Sequence, residues 1–74
     1  MILPYGSTNE DLNRCSEIVR EFINKDHLNC TEEQLMLITL EIMNISYSHG
    51  GGYNDDVIRR FSEGYFNNIY NLNI

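Results

Sequence analysis

One stretch of the sequence combines residue types that could hold an anion: Tyr47, His49, the consecutive glycines Gly50, Gly51 and Gly52, and Tyr53, with Arg59 and Arg60 following. Glycine admits positive φ, so successive backbone amides can converge on one phosphate. A helix N-terminus just beyond would add its partial positive charge. The two tyrosines offer ring faces, and the histidine and arginines supply donors. The chemistry implied is binding of a phosphate-bearing, flat-ringed ligand. The alternative is a plain connector between helices, since three glycines in a row also make a flexible link and Asp55 with Asp56 would repel the same phosphate.

Other constellations carry less. Cys15, His27, Cys30 and His49 are thiolate and imidazole donors of the kind a structural zinc site uses. Their spacing forms no compact knuckle, and Cys15 falls on an apolar stripe, where a free cysteine behaves as a small hydrophobe. No metal and no cofactor is therefore expected. Neither a serine nor a cysteine lies in a nucleophile motif, and neither histidine comes with an orienting carboxylate. Asp55 and Asp56 read as charge bias in the first turn of a helix. A binding protein is expected, not an enzyme.

The elements that must position these residues are all helical. The spacing predicts a three-helix domain, a helical hairpin plus a C-terminal helix. Ser7 with Glu10 matches the capping box and predicts a helix starting near Thr8. Leu12, Cys15, Val19, Phe22 and Ile23 form its buried stripe, with Ile18 beside it. On the opposite face Glu10 to Arg14 and Glu21 to Lys25 are i, i+4 pairs, each worth roughly 0.2–0.5 kcal/mol. A turn over residues 24–29 follows. Thr31 with Gln34 repeats the capping box, so a second helix runs from near Glu32 to about Ser48. Its apolar residues Leu35, Met36, Leu37, Ile38, Leu40, Ile42, Met43, Ile45 and Tyr47 cover nearly the whole circumference, leaving only Glu41, Asn44 and Ser48 polar. Two neighbours in so short a chain cannot cover such a helix, which predicts a homo-oligomer. After the glycines Asn54 can cap a third helix, with Val57, Ile58, Phe61, Tyr65, Ile69 and Leu72 on its apolar arc. Phe66 and Tyr70 project to the flank of that arc and are expected in a subunit or partner contact.

Length and charge bound the rest. Seventy-four residues make one domain, 1–74, of marginal stability as a monomer. Eleven acidic against five basic side chains give a formal charge of −6, which repels nucleic acid and anionic membrane alike. The two cysteines read as reduced thiols. No run approaches the roughly 18 apolar residues of a membrane span, and the first residues lack the pattern of a signal peptide. A location in the cytoplasm of a bacterial host is expected. Frequent asparagine and the absence of alanine are the usage of AT-rich genomes, such as many bacteriophages have.

Pro4-Tyr5-Gly6, Arg20-Glu21-Phe22, Cys30, Thr31-Glu32-Glu33-Gln34 and Thr39-Leu40-Glu41 stand in an order that resembles the helical-hairpin proteins with which phages sequester cyclic-nucleotide immune signals. The resemblance implies an anti-defence homo-oligomer that binds a cyclic nucleotide at subunit boundaries and does not cleave it. A second reading rests on charge. In it an acidic inhibitor, nucleic-acid mimicry included, places the carboxylate face of helix one and the aromatics of helix three on a basic site of a host or defence protein. A structural module without a ligand is the third.

Overall fold

The computed structural model describes residues 2–67. It is an all-α domain of three helices, α1 (Asn9–Lys25), α2 (Glu32–Ser48) and α3 (Asp55–Phe66). Ion pairs fix the directions. Arg14 meets Asp55 and, further along both helices, Glu21 meets Arg59, so α1 and α3 run the same way while α2 returns between them. One end of the bundle thus gathers the starts of α1 and α3 and the end of α2, where the glycine segment lies.

The helix boundaries follow from their caps. Thr31 and Gln34 form the expected capping box, with Oγ1 of Thr31 accepting from the Gln34 amide at 3.1 Å and the Gln34 side chain accepting from the Thr31 amide at 2.9 Å. The first box is displaced by one residue from the expected Ser7–Glu10 pair: Thr8 and Asp11 make it, at 3.2 and 3.0 Å. Ser7 is already engaged, because its amide and hydroxyl both donate to the Pro4 carbonyl and close a turn in which Gly6 has φ +77°. Asn54 occupies the cap position of α3 but makes no side-chain capping bond.

The turn that closes α1 passes through His27, whose φ of 56° places it in the left-handed region. The His27 amide donates to Asn24 and the Leu28 amide to Ile23, the paired bonds of a Schellman closure. Glycine is the usual occupant of that position, so the turn forms here against the steric preference of a side chain.

The core joins Leu12, Cys15, Ile18, Val19 and Ile23 of α1 to Leu35, Ile42 and Met43 of α2 and Ile58 and Phe61 of α3. Thr39, Ser46 and Ser62 are buried among them, and apolarity alone does not single these out. Two of these hydroxyls bond backbone close by in sequence, Thr39 to the Leu35 carbonyl at 2.7 Å and Ser46 to the Gly52 carbonyl at 2.6 Å. A small side chain satisfied in this way can sit where helices approach closely. Leu37 and Tyr47 stay exposed at 58% and 49%. Within one chain, then, α2 buries a stripe and not its circumference.

The surface pairs also differ from the i, i+4 pattern. Arg14 does not meet Glu10 but bridges Asp11 at 2.8 Å and Asp55 at 2.6 Å, and Glu21 takes Arg59 at 2.8 Å in place of Lys25. A cross-helix carboxylate wins because the packed bundle has already fixed its position. Phe66, expected at a subunit contact, stacks on Phe22 with centroids 5.9 Å apart and lies half-buried against the core. Tyr70, Ile69 and Leu72 lie outside the described residues.

Candidate functional site

The glycine segment is built as a helix closure. His49 is the C-cap of α2, Gly50 follows with φ +80°, its amide donates to Tyr47 at 3.0 Å, and the Gly51 amide donates to Ser46 at 2.8 Å. These are the two bonds of a Schellman motif, so the amides of Gly50 and Gly51 point back into α2. Gly51 has no positive φ. A Cβ there would meet Ser46 Oγ at 2.8 Å and Val57 Cγ1 at 3.0 Å. The residue is small because α2 and α3 close on it. Gly52 has no positive φ, and a Cβ added to it would meet no atom within 4 Å among the described residues.

The three glycines should accordingly respond differently to alanine. Gly50→Ala should cost about 1–2 kcal/mol for a side chain in the left-handed region. Gly51→Ala should cost about 1–3 kcal/mol by overpacking. Gly52→Ala should lie between no change and a gain of about 1 kcal/mol, through a stiffer unfolded chain. Urea denaturation of the three variants checks this. Equal losses at all three would sink the closure account and favour a shared demand for flexibility.

Around the closure the structure gathers tyrosines. The Tyr53 hydroxyl donates to the Tyr5 carbonyl at 2.6 Å, and the Tyr5 and Tyr47 rings lie 5.6 Å apart at 46°. Burial raises the Tyr53 phenol above its ordinary pKa, with smaller contributions from Tyr47 and Asp11. The Tyr53 carbonyl accepts from Arg14 at 2.7 Å and from the Cys15 thiol at 3.7 Å. Tyr5 and Arg14 are thus the members of this cluster that spacing along the chain did not reveal. Both arrive from α1 or the turn before it, 39 and 48 residues away from Tyr53, and only the bundle brings them there. His49 sits with Nδ1 2.8 Å from the Ile45 carbonyl and its ring 5.3 Å from Phe61.

The arginines go elsewhere. Arg59 reaches across to Glu21, which raises its pKa through a hydrogen bond and through charge. Arg14 is raised above all by its hydrogen bond to Asp55, and Arg20 by a two-pronged contact with Glu32 at 2.8 and 3.1 Å. Arg60 is exposed and has no ion pair among the described residues. The structure therefore brings Tyr47, Tyr53 and the glycines together and directs Arg59 to the α1 face.

Among the described residues two shallow clefts stand out. A cleft of about 210 Å³ lies beside Glu21, Phe22, Lys25 and Arg59, and one of about 150 Å³ at the α1–α2 turn beside Cys30, Glu32 and Leu35. Small-molecule sites enclose roughly 300–1,000 Å³. Cys15 is in the core, Cys30 is exposed in the turn, and His27 and His49 lie at opposite ends of α2. Among the described residues no three His, Cys, Asp or Glu side chains cluster to hold a metal, and no helix is long and apolar enough to cross a membrane. Comparison with family models, with curated proteins and with solved structures gives no match for this chain.

Proposed function

We propose that this chain is a non-catalytic binding protein that docks its acidic surface on a basic site of a partner protein and blocks it. The supporting observation is the distribution of charge. Arg14, Arg20 and Arg59 are each held by carboxylates of the same chain. Glu10, Asp26, Glu33, Asp56 and Glu63 are exposed and have no ion pair among the described residues. Three of the five cations are thus neutralised by the chain's own acids, leaving Lys25 and Arg60 against a larger number of open carboxylates, an arrangement that steers a basic surface in and an anion away. On α1, Glu10, Glu17 and Glu21 follow one exposed stripe, at intervals of about 10 and 6 Å along the axis. Glu10 has no ion pair among the described residues, while Glu17 meets Arg20 at 3.7 Å and Glu21 meets Arg59 at 2.8 Å, and both stay more than half exposed. In the phage setting that the sequence resemblance implies, the partner would be a host or defence protein.

A nucleotide ligand is the rival reading, favoured by the exposed Tyr5 and Tyr47 rings and by Arg60. Native mass spectrometry of the protein purified from phage-infected cells decides between them. The expected result is a co-purifying protein that dissociates as salt is raised and is missing from a Glu10→Gln/Glu17→Gln variant. A small nucleotide retained in its place would overturn the proposal.

A further inference from the structure

The two exposed apolar residues of α2, Leu37 and Tyr47, fall on one line. With Leu40 and the uncharged Asn44 between them they follow the i, i+3, i+7, i+10 spacing of a single helical stripe about 15 Å long. Leu37 and Tyr47 are exposed at 58% and 49%, and Leu40 is half-buried. Tyr5, 77% exposed and tilted against Tyr47, carries the stripe past the end of the helix. Leu40 packs partly against the core, while Leu37 and Tyr47 stay about half exposed or more among the described residues.

Charge identifies the occupant. Between residues 34 and 48 the chain has a single ionisable carboxylate or cation, Glu41, and its carboxylate accepts the Tyr65 hydroxyl at 2.8 Å. Elsewhere α1, the α1–α2 turn and α3 present open carboxylates to solvent, in a chain of formal charge −6. A basic partner would find no opposed charge on this stripe and an anionic one no cation. The complementary surface is another neutral, apolar stripe of similar length. A second copy supplies one, and on this stripe two copies of a −6 chain approach with only Glu41 of each beside the contact, a carboxylate already engaged by the Tyr65 hydroxyl. A two-fold contact also uses each apolar residue twice. A typical stable contact takes about 800 Å² from each partner, roughly a sixth of this molecule's 4976 Å².

We infer that the outer face of α2 is a self-association surface, on which two copies pair with their α2 helices antiparallel about a two-fold axis. The axis passes between Leu40 and Asn44, so that Leu37 of each copy lies over Tyr47 of the other. This contact is separate from the acidic face on α1, so either can fail without the other.

Sedimentation velocity on the full chain tests it. The wild type should sediment at twice 8.7 kDa at micromolar concentration. Leu37→Glu and Tyr47→Lys should each sediment as the single chain with an unchanged circular dichroism spectrum, because both positions are exposed within the monomer. An equimolar mixture of the two variants should recover the double mass, since the antiparallel register sets Glu against Lys at one end and leaves Leu against Tyr at the other. A wild type that stays at the single-chain mass overturns the inference. A dimer that persists in both variants overturns it too, by placing the contact on another face. Variants that are monomeric alone and remain so when mixed overturn the antiparallel register.

Discussion

Ile42→Ala should lower the free energy of unfolding by about 2–5 kcal/mol, the cost of lost apolar burial and of a cavity that the surroundings refill only in part. Ile42 is fully buried in the middle of α2, between the stripes of α1 and α3. A domain of this size has roughly 4–11 kcal/mol of stability in all, so one such cavity removes a large part of it. Leu37→Ala on the same helix is the contrast. It is 58% exposed within the chain, and at dilutions where the chain is monomeric it should change stability by no more than about 0.5 kcal/mol. Urea titrations with equal slopes measure both. Similar losses at the two positions would mean that α2 is packed on both faces in a single chain, and the exposed stripe would have to be abandoned.

Alkaline pH should destabilise the fold through Cys15. Its thiol is fully buried, and burial pushes its pKa from 9.0 to about 11 against a smaller opposing pull from Arg14. Above pH 9 the unfolded chain releases this proton while the folded chain keeps it. The unfolded state then binds fewer protons, so stability falls as pH rises and levels off only once the folded thiol also titrates. A difference of two units corresponds to about 2–3 kcal/mol by the end of that window. Tyr65, pushed up to about 12 by burial and by its bond to Glu41, adds a decline of the same sign beginning one unit higher. The check is the slope of unfolding free energy against pH in wild type and Cys15→Ala. The variant should lose the part of the decline that starts at 9 and keep the later part. An unchanged slope in the variant would show that the thiol does not titrate differently in the two states.

At the acid end the sign reverses. Asp11 is held below its ordinary pKa chiefly by the Thr8 amide, and Glu32 by its hydrogen bond to Arg20. Stability from these groups is complete above the ordinary carboxylate range and fades as pH falls through it. Both side chains are solvent-accessible, so the effect is smaller than that of the buried thiol.

Local chemistry in the sequence was sufficient for the helices. Thr31 with Gln34, the glycines after Ser48 and the apolar spacing of α1 act within a turn or two, where caps, backbone freedom and periodicity are governed by neighbours in the chain. The same locality placed the first capping box one residue early, because the Pro4 turn that occupies Ser7 competes with it and spacing does not rank the two. Charge and composition likewise determined that the surface would be acidic. Partnership between helices was a different matter. Arg14 chose Asp55 and Arg59 chose Glu21 because packing had already brought those carboxylates within reach, a fact absent from any i, i+4 rule. The burial of Thr39 and Ser46 depends on how closely three helices approach, and hydropathy carries no record of distance. The glycine segment shows the division most plainly. Its residue types announced a break in the chain, but only the tertiary structure decided that Gly50 supplies the left-handed turn, that Gly51 makes room for Ser46 and Val57, and that two of the amides close α2, because each role is set by what lies across the bundle or one turn back.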